Sequence, residues 1–185
     1  MMRAQLLTQH GGPDNFVLSE VPTPVAGPGQ VLVRIHAAAV NPIDIKIREG
    51  LPIGPDLPAI LGADLAGVVE QVGQGVSAFS VGDQVYGFAG GVKGMGGTLA
   101  EYIAADASLL APMPAGLSFR DAAALPLVAI TAWHMIERLA LTADDTVLIH
   151  GGTSGIGTMA ISLCGLFGIT SIVTCGSADK CDAAR

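Results

Sequence analysis

The sequence predicts a mixed α/β chain, with a β-rich first part followed by the opening of a parallel, doubly wound sheet. Three observations predict it. Val31, Val33, Ile35 and Ala37 alternate with Leu32, Arg34 and His36, the two-residue period of a half-buried strand. From Thr146 onward a short apolar strand, a glycine-rich turn, an apolar helix and a second apolar strand follow one another, the order of a βαβ unit with parallel strands. The 25 glycines and 11 prolines among 185 residues require many tight turns, which a helical bundle does not.

Taken in order, Val21-Pro22-Thr23-Pro24 to Gly27-Pro28-Gly29 is a turn-rich approach to the strand at Val31. Leu65 to Val72 reads as a second strand, in which Gly67 marks a bend or a close backbone contact. Gly82-Asp83 is a turn feeding a strand at Val85-Tyr86, Gly87 to Gly97 is a glycine-rich loop, and Thr98 to Ile103 returns as a strand. The texture changes at Ser118, which with Asp121 forms a capping pattern opening a helix into Ala122, Ala123 and Ala124. Pro126 interrupts, and a second helical run extends from Leu127 through Trp133 to Leu139. Thr142 to Asp145 is a turn. Buried strands are expected at Thr146 to His150 and Ser171 to Cys175, joined by a helix from about Ile156 to Phe167 that stops at Gly168.

Composition excludes several classes of function. Sixteen acidic and nine basic residues give a net charge of −7 with no Lys/Arg cluster, a poor match to a phosphate backbone, so no nucleic-acid partner is expected. Cys164, Cys175 and Cys181 have neither CxxC spacing nor a histidine at ligand distance, and read as free thiols of a reducing, cytoplasmic compartment. Met1 to Gln9 carries no long apolar run of the kind a signal peptide needs. Thr146 to Ala178 has no Asp, Glu, Lys or Arg, but its glycines, serines and threonines break the continuous apolar stretch a bilayer demands, so no membrane span is expected.

The turn Gly151-Gly152-Thr153-Ser154-Gly155-Ile156-Gly157 carries the chemistry. Glycines let the backbone approach a diphosphate, and the helix that follows offers unpaired N–H groups and the positive end of its dipole. Gly152 and Gly157 fit the first and third positions of the dinucleotide fingerprint, and Ser154 replaces the middle glycine. A tight turn with no ligand is the alternative reading. After the second strand come Gly176-Ser177 and Lys180, with no carboxylate at the strand end to grip a ribose diol. That favours NADP(H) over NAD(H), with Ser177 hydrogen-bonding and Lys180 neutralising a 2′-phosphate. The same residues also read as a helix cap and a solvated cation.

The chain resembles the medium-chain dehydrogenase/reductase superfamily, and most closely its zinc-free quinone oxidoreductase branch. The carriers are Ala39-Val40-Asn41-Pro42-Ile43-Asp44, Gly62 to Val69, Gly82-Asp83-Gln84-Val85, Gly97 to Tyr102, Ala124-Leu125-Pro126 with Thr131-Ala132, and the turn at Gly151 to Gly157. The resemblance implies a GroES-like, partly open β-barrel domain over residues 1–122 and a Rossmann domain opening over 123–185. Zinc-dependent alcohol dehydrogenases carry cysteine, histidine and cysteine where this chain has Asn41, Ala63 and Leu127, so no zinc is expected. Without a Lewis acid, the implied reaction is hydride transfer from NADPH to an electrophilic quinone or α,β-unsaturated carbonyl. Asn41 would offer its amide to the substrate oxygen and Thr131 would touch the nicotinamide. Asn41 reads equally as a turn residue before Pro42, and Thr131 as a helix residue bonding its own backbone. Thr153 to Gly157 also resembles short-chain dehydrogenases, whose turn lies near the chain start instead of after a long β-rich region.

One βαβ unit cannot cover both faces of a sheet, and the chain stops at Arg185 where another helix should begin. The sequence is therefore expected to be the front part of a longer molecule, with one flank of the strand Ser171 to Cys175 open as a sheet edge. Full-length members of the family are implied to be homo-oligomers, paired through an edge beyond this chain. A remnant or interaction module with weak or no nucleotide binding is the alternative function.

Overall fold

A computed structural model describes residues 1–184. The chain divides into two compact units, Met1–Leu127 and a second from Val128 onward.

The first unit is built on antiparallel sheet. Strands β1 (Met2–Leu7), β2 (Phe16–Val21) and β4 (Ala59–Ile60) form a three-stranded sheet in the order β2-β1-β4. Strands β3 (Gln30–Ala39), β5 (Asp64–Val72), β6 (Gln84–Phe88), β7 (Tyr102–Asp106) and β8 (Leu110–Pro112) form a second, in the order β7-β3-β5-β6-β8. Helix α1 (Pro42–Arg48) follows β3, and α2 (Phe119–Ala123) follows β8. The core of the larger sheet is Val31, Val33, Leu65, Val69, Val85 and Ile103, all buried. Each such side chain contributes about 1.5–3 kcal/mol on leaving water. Arg34 and His36 point to the other, wetter side of β3, as the two-residue period requires. Gly67 meets its expectation of a close contact: a Cβ there would strike the carbonyl of Arg34 on the paired strand, beside the register shift between Ile35 and Ala37.

Two elements are displaced from their expected positions in this unit. The strand expected over Thr98 to Ile103 begins instead at Tyr102. Residues before it divide their hydrogen bonds between two neighbours, so no continuous ladder forms. Thr98 and Leu99 donate to Gly62 and Leu61, while Leu99 and Arg3 carbonyls accept from Gln5 and Glu101. Asn41-Pro42, a turn by its residue types, opens helix α1, with Pro42 in the first turn where a missing N–H is harmless. Ser118 caps α2 as expected, accepting from the N–H of Asp121 at 3.2 Å.

Helix α3 (Pro126–Arg138) begins at the proline expected to interrupt it, again because proline fits the first turn. In the second unit, β9 (Thr146–His150), α4 (Gly155–Phe167) and β10 (Thr170–Thr174) form the expected unit, with β9 and β10 parallel and Thr146 opposite Thr170. A short α5 (Ala178–Ala183) follows. Strand β10 starts one residue earlier than expected. The strands are not buried on both faces, which corrects the expectation. Val147 and Ile149 pack with Ile136, Cys164 and Ile169, whereas Leu148 and its cross-strand partner Ile172 are 55% and 57% exposed. His150 is likewise exposed at the end of β9, its Nδ1 3.1 Å from Thr174 Oγ1. A two-stranded sheet has two faces, and the helices cover one of them. Among the described residues, no helix is long and apolar enough to cross a membrane.

Candidate functional site

In the first unit the chemistry gathers where β3 ends, α1 begins and β5 starts. Asn41 is the N-cap of α1 and is 7% exposed. Its backbone N–H donates to Asp44 Oδ2 at 2.7 Å, and its side-chain Nδ2 donates to Asp64 Oδ2 at 2.9 Å. Asp64, the first residue of β5, is 1% exposed. Its second oxygen, Oδ1, accepts from the N–H of Leu127 at 3.0 Å. Leu127 lies in the first turn of α3, where backbone donors lack helical partners, so Asp64 caps that helix from another part of the sequence. Both donors to Asp64 are neutral. Burial pushes its carboxyl up from 3.8 to about 6, against the pull of the Asn41 and Leu127 hydrogen bonds. Burial also raises Asp44, against the hydrogen bond from Asn41, and Asp44 Oδ1 is buried without a partner.

In the second unit the turn Gly151 to Gly157 is fixed to the end of β10. Gly151 and Gly152 N–H groups donate to the Thr174 carbonyl at 3.1 and 3.0 Å, and Ser154 N–H closes the turn on Gly151 O at 2.9 Å. Gly157 has to be glycine: a Cβ would collide with the Gly151 carbonyl, and one at Gly152 would lie 2.8 Å from Val173 Cβ. Ser154 is the N-cap of α4, its Oγ accepting from Gly157 N–H at 3.0 Å. The hydroxyl hydrogen stays available to a ligand. The N–H groups of Gly155 and Ile156, ahead in the first turn, have no helical carbonyl to pair with. A tight turn that leads from a strand into the N-terminus of a 13-residue helix, with Ser154 and two N–H groups at its mouth, fits a dinucleotide diphosphate.

Thr153 and Ile156 are half-buried members of this turn. Thr131 is half-buried in α3, within the second unit. Ser177 and Lys180 come one element later and are exposed. Ser177 caps α5, its Oγ accepting from Lys180 N–H at 3.4 Å, so the capping alternative describes its backbone role. Its own O–H and the Lys180 ammonium are not used by that bond. Asp64 was not among the candidate site residues. Its signal in the sequence is a single carboxylate inside the apolar run Leu61 to Val69. Among the described residues no group of three or more His, Cys, Asp or Glu side chains is arranged to hold a metal ion.

The Alcohol dehydrogenase GroES-like domain family matches residues 27–115. The chain is 36% identical over 180 residues to the quinone oxidoreductase of Rattus norvegicus, covering 96% of this chain and 54% of that protein. It is 35% identical over 193 residues to the chloroplastic NADPH-dependent alkenal/one oxidoreductase of Arabidopsis thaliana, covering all of this chain and 50% of that protein. The crystal structure of an alcohol dehydrogenase superfamily protein from Novosphingobium aromaticivorans superposes with a TM-score of 0.94 at 45% identity, covering 100% of this chain and 56% of that one. The chain belongs to the medium-chain dehydrogenase/reductase superfamily. Its relatives place it in the quinone oxidoreductase branch of that superfamily. Its first unit contains the superfamily's GroES-like domain. The β9–α4–β10 unit is the part of the fold in which the glycine turn stands. The chain spans about half the length of the curated relatives it matches.

Proposed function

We propose that this chain is part of an NADPH-dependent reductase that transfers hydride to a quinone or an α,β-unsaturated carbonyl without a catalytic zinc. Residues 1–122 form its substrate-side domain and 123–185 begin its nucleotide-binding domain. One observation carries the reading: the turn Gly151 to Gly157 joins two parallel strands and, packed closely on itself and on Val173 through Gly157 and Gly152, presents the N-terminus of α4, the arrangement that receives a diphosphate in a dinucleotide-binding unit. The names of the relatives, one a quinone oxidoreductase and one an NADPH-dependent alkenal/one oxidoreductase, support the substrate and cofactor classes.

NADPH, when bound, supplies the hydride. Backbone N–H groups of Gly155 and Ile156 and the Ser154 hydroxyl hold the diphosphate. Ser177 and Lys180 take the 2′-phosphate, since Gly176-Ser177 offers no carboxylate to repel it. Thr131 orients the nicotinamide. Asn41 donates its remaining side-chain N–H to the substrate carbonyl oxygen, where negative charge develops as the acceptor is reduced. Asn41, Ala63 and Leu127 provide no thiolate or imidazole, so the donor set does not fit a catalytic zinc. The enzyme is expected to be cytoplasmic, with a small-molecule partner and neither nucleic acid nor membrane.

The test is a titration of NADPH and NADH followed by nicotinamide fluorescence, then NADPH consumption with 1,4-naphthoquinone and with an alkenal. Saturable NADPH binding, weaker NADH binding and turnover of either acceptor are expected. Protein that leaves the fluorescence of both nucleotides unchanged refutes the reading.

A further inference from the structure

We propose that Asp64 is a positioning residue for the reduction: its carboxylate, set between the Asn41 amide and the Leu127 N–H, fixes which way round the Asn41 amide faces. The inference rests on the proposed function, in which Asn41 meets the substrate oxygen.

An asparagine amide has two orientations that occupy nearly the same space and exchange a donor for an acceptor. Asp64 Oδ2 lies 2.9 Å from Asn41 Nδ2. With Asp64 ionised, the reverse orientation would set the Asn41 carbonyl oxygen against a carboxylate oxygen, acceptor against acceptor. One orientation therefore survives, with one N–H on Asp64 and the other left for a ligand. The main-chain N–H of Asn41 is tied separately to Asp44 Oδ2 at 2.7 Å, so backbone and side chain are anchored to different carboxylates.

Stability alone does not explain Asp64. It is 1% exposed and its two donors are neutral. Its register partners are Ala39 on β3 and Phe88 on β6, α3 supplies the Leu127 N–H, and the charged group acting on it is Asp44 of α1, which repels it. A neutral residue would satisfy Leu127 without the desolvation of a charge. What a neutral acid cannot do is hold the Asn41 amide one way round. Once protonated, Asp64 can donate to Asn41 Oδ1, and the reversed amide becomes acceptable. Since its carboxyl titrates near 6, that loss of orientation falls within reach of a kinetic pH profile.

Asp64→Asn separates the two functions of the side chain. Its amide oxygen can still accept from Leu127, while its NH₂ faces Asn41 and forces the Asn41 amide to turn over. The enzyme carrying this change, Asn41→Ala and the unaltered enzyme are compared in NADPH-dependent reduction of 1,4-naphthoquinone from about pH 5 to about pH 8. In the unaltered enzyme kcat falls as pH drops below about 6. In Asp64→Asn kcat is lower by about 10²-fold, the effect of losing one donor aimed at developing charge, and is flat across this range. NADPH affinity is unchanged. A second measurement needs no variant. The side-chain ¹⁵NH₂ signals of Asn41 in the unaltered protein shift with a midpoint near pH 6. Asp64→Asn with undiminished kcat and the same pH profile overturns the inference, as do Asn41 signals that ignore pH. Asn41→Ala with undiminished kcat instead overturns the reading on which it rests.

Discussion

Replacing Asp64 by asparagine should change the pH dependence of stability in a direction set by burial. Asp64 has its carboxyl raised from 3.8 to about 6 in the folded chain. The folded state therefore binds the proton more tightly than the unfolded state. The stability linked to that proton is fully present below about pH 3.8 and is lost as pH rises through about 6. The difference of roughly two pKa units corresponds to about 3 kcal/mol at most. Asparagine cannot titrate, so Asp64→Asn should gain on the unaltered protein by up to about 3 kcal/mol between about pH 4 and about pH 7.5. Asp44 is raised in the same direction but is present in both proteins, as are the carboxylates of Glu101, Asp106 and Asp145, which hydrogen bonds hold below the usual range. The comparison thus reports Asp64 together with its repulsion of Asp44. Trp133 lies in the second unit, so its fluorescence is a poor monitor here. Hydrogen exchange of β3 and β5 amides in urea reports the first unit directly. Parallel pH–stability curves for the two proteins would refute the argument, because they would mean that Asp64 titrates alike folded and unfolded.

Further expectations concern other parts of the molecule. Gly157→Ala drives a Cβ into the Gly151 carbonyl and should destabilise the second unit by about 1–3 kcal/mol and abolish NADPH binding, measured by Trp133 fluorescence in urea and by nicotinamide fluorescence. Lys180→Ala should weaken NADPH about tenfold and leave NADH unchanged, read as the ratio of the two Kd values. Ser118→Ala removes the acceptor for Asp121 N–H and should cost about 1 kcal/mol in thermal unfolding. Leu65→Ala opens a cavity in the main core and should cost about 2–5 kcal/mol by urea denaturation.

The sequence by itself determined the elements whose signals are local. The alternation from Val31 to Ala37 located β3, Ser118 with Asp121 located the start of α2, and the glycines from Gly151 to Gly157 located the turn between parallel strands. Each depends on a short-range cause: the pleat of a strand, an unpaired N–H, or a backbone that admits no Cβ. Tertiary structure decided what depends on residues far apart in the chain. Residues 98–101 look like a strand by composition, yet their donors and acceptors are drawn to two different partners. Leu148 and Ile172 look like core by hydropathy, yet burial requires a second layer that local sequence cannot supply. Asn41 and Asp64 are 23 residues apart, and Asp64 and Leu127 are 63 apart. Only a fold that brings β5 beside both the α1 N-terminus and the first turn of α3 makes Asp64 a shared acceptor, because a carboxylate's protonation and partners are set by who surrounds it.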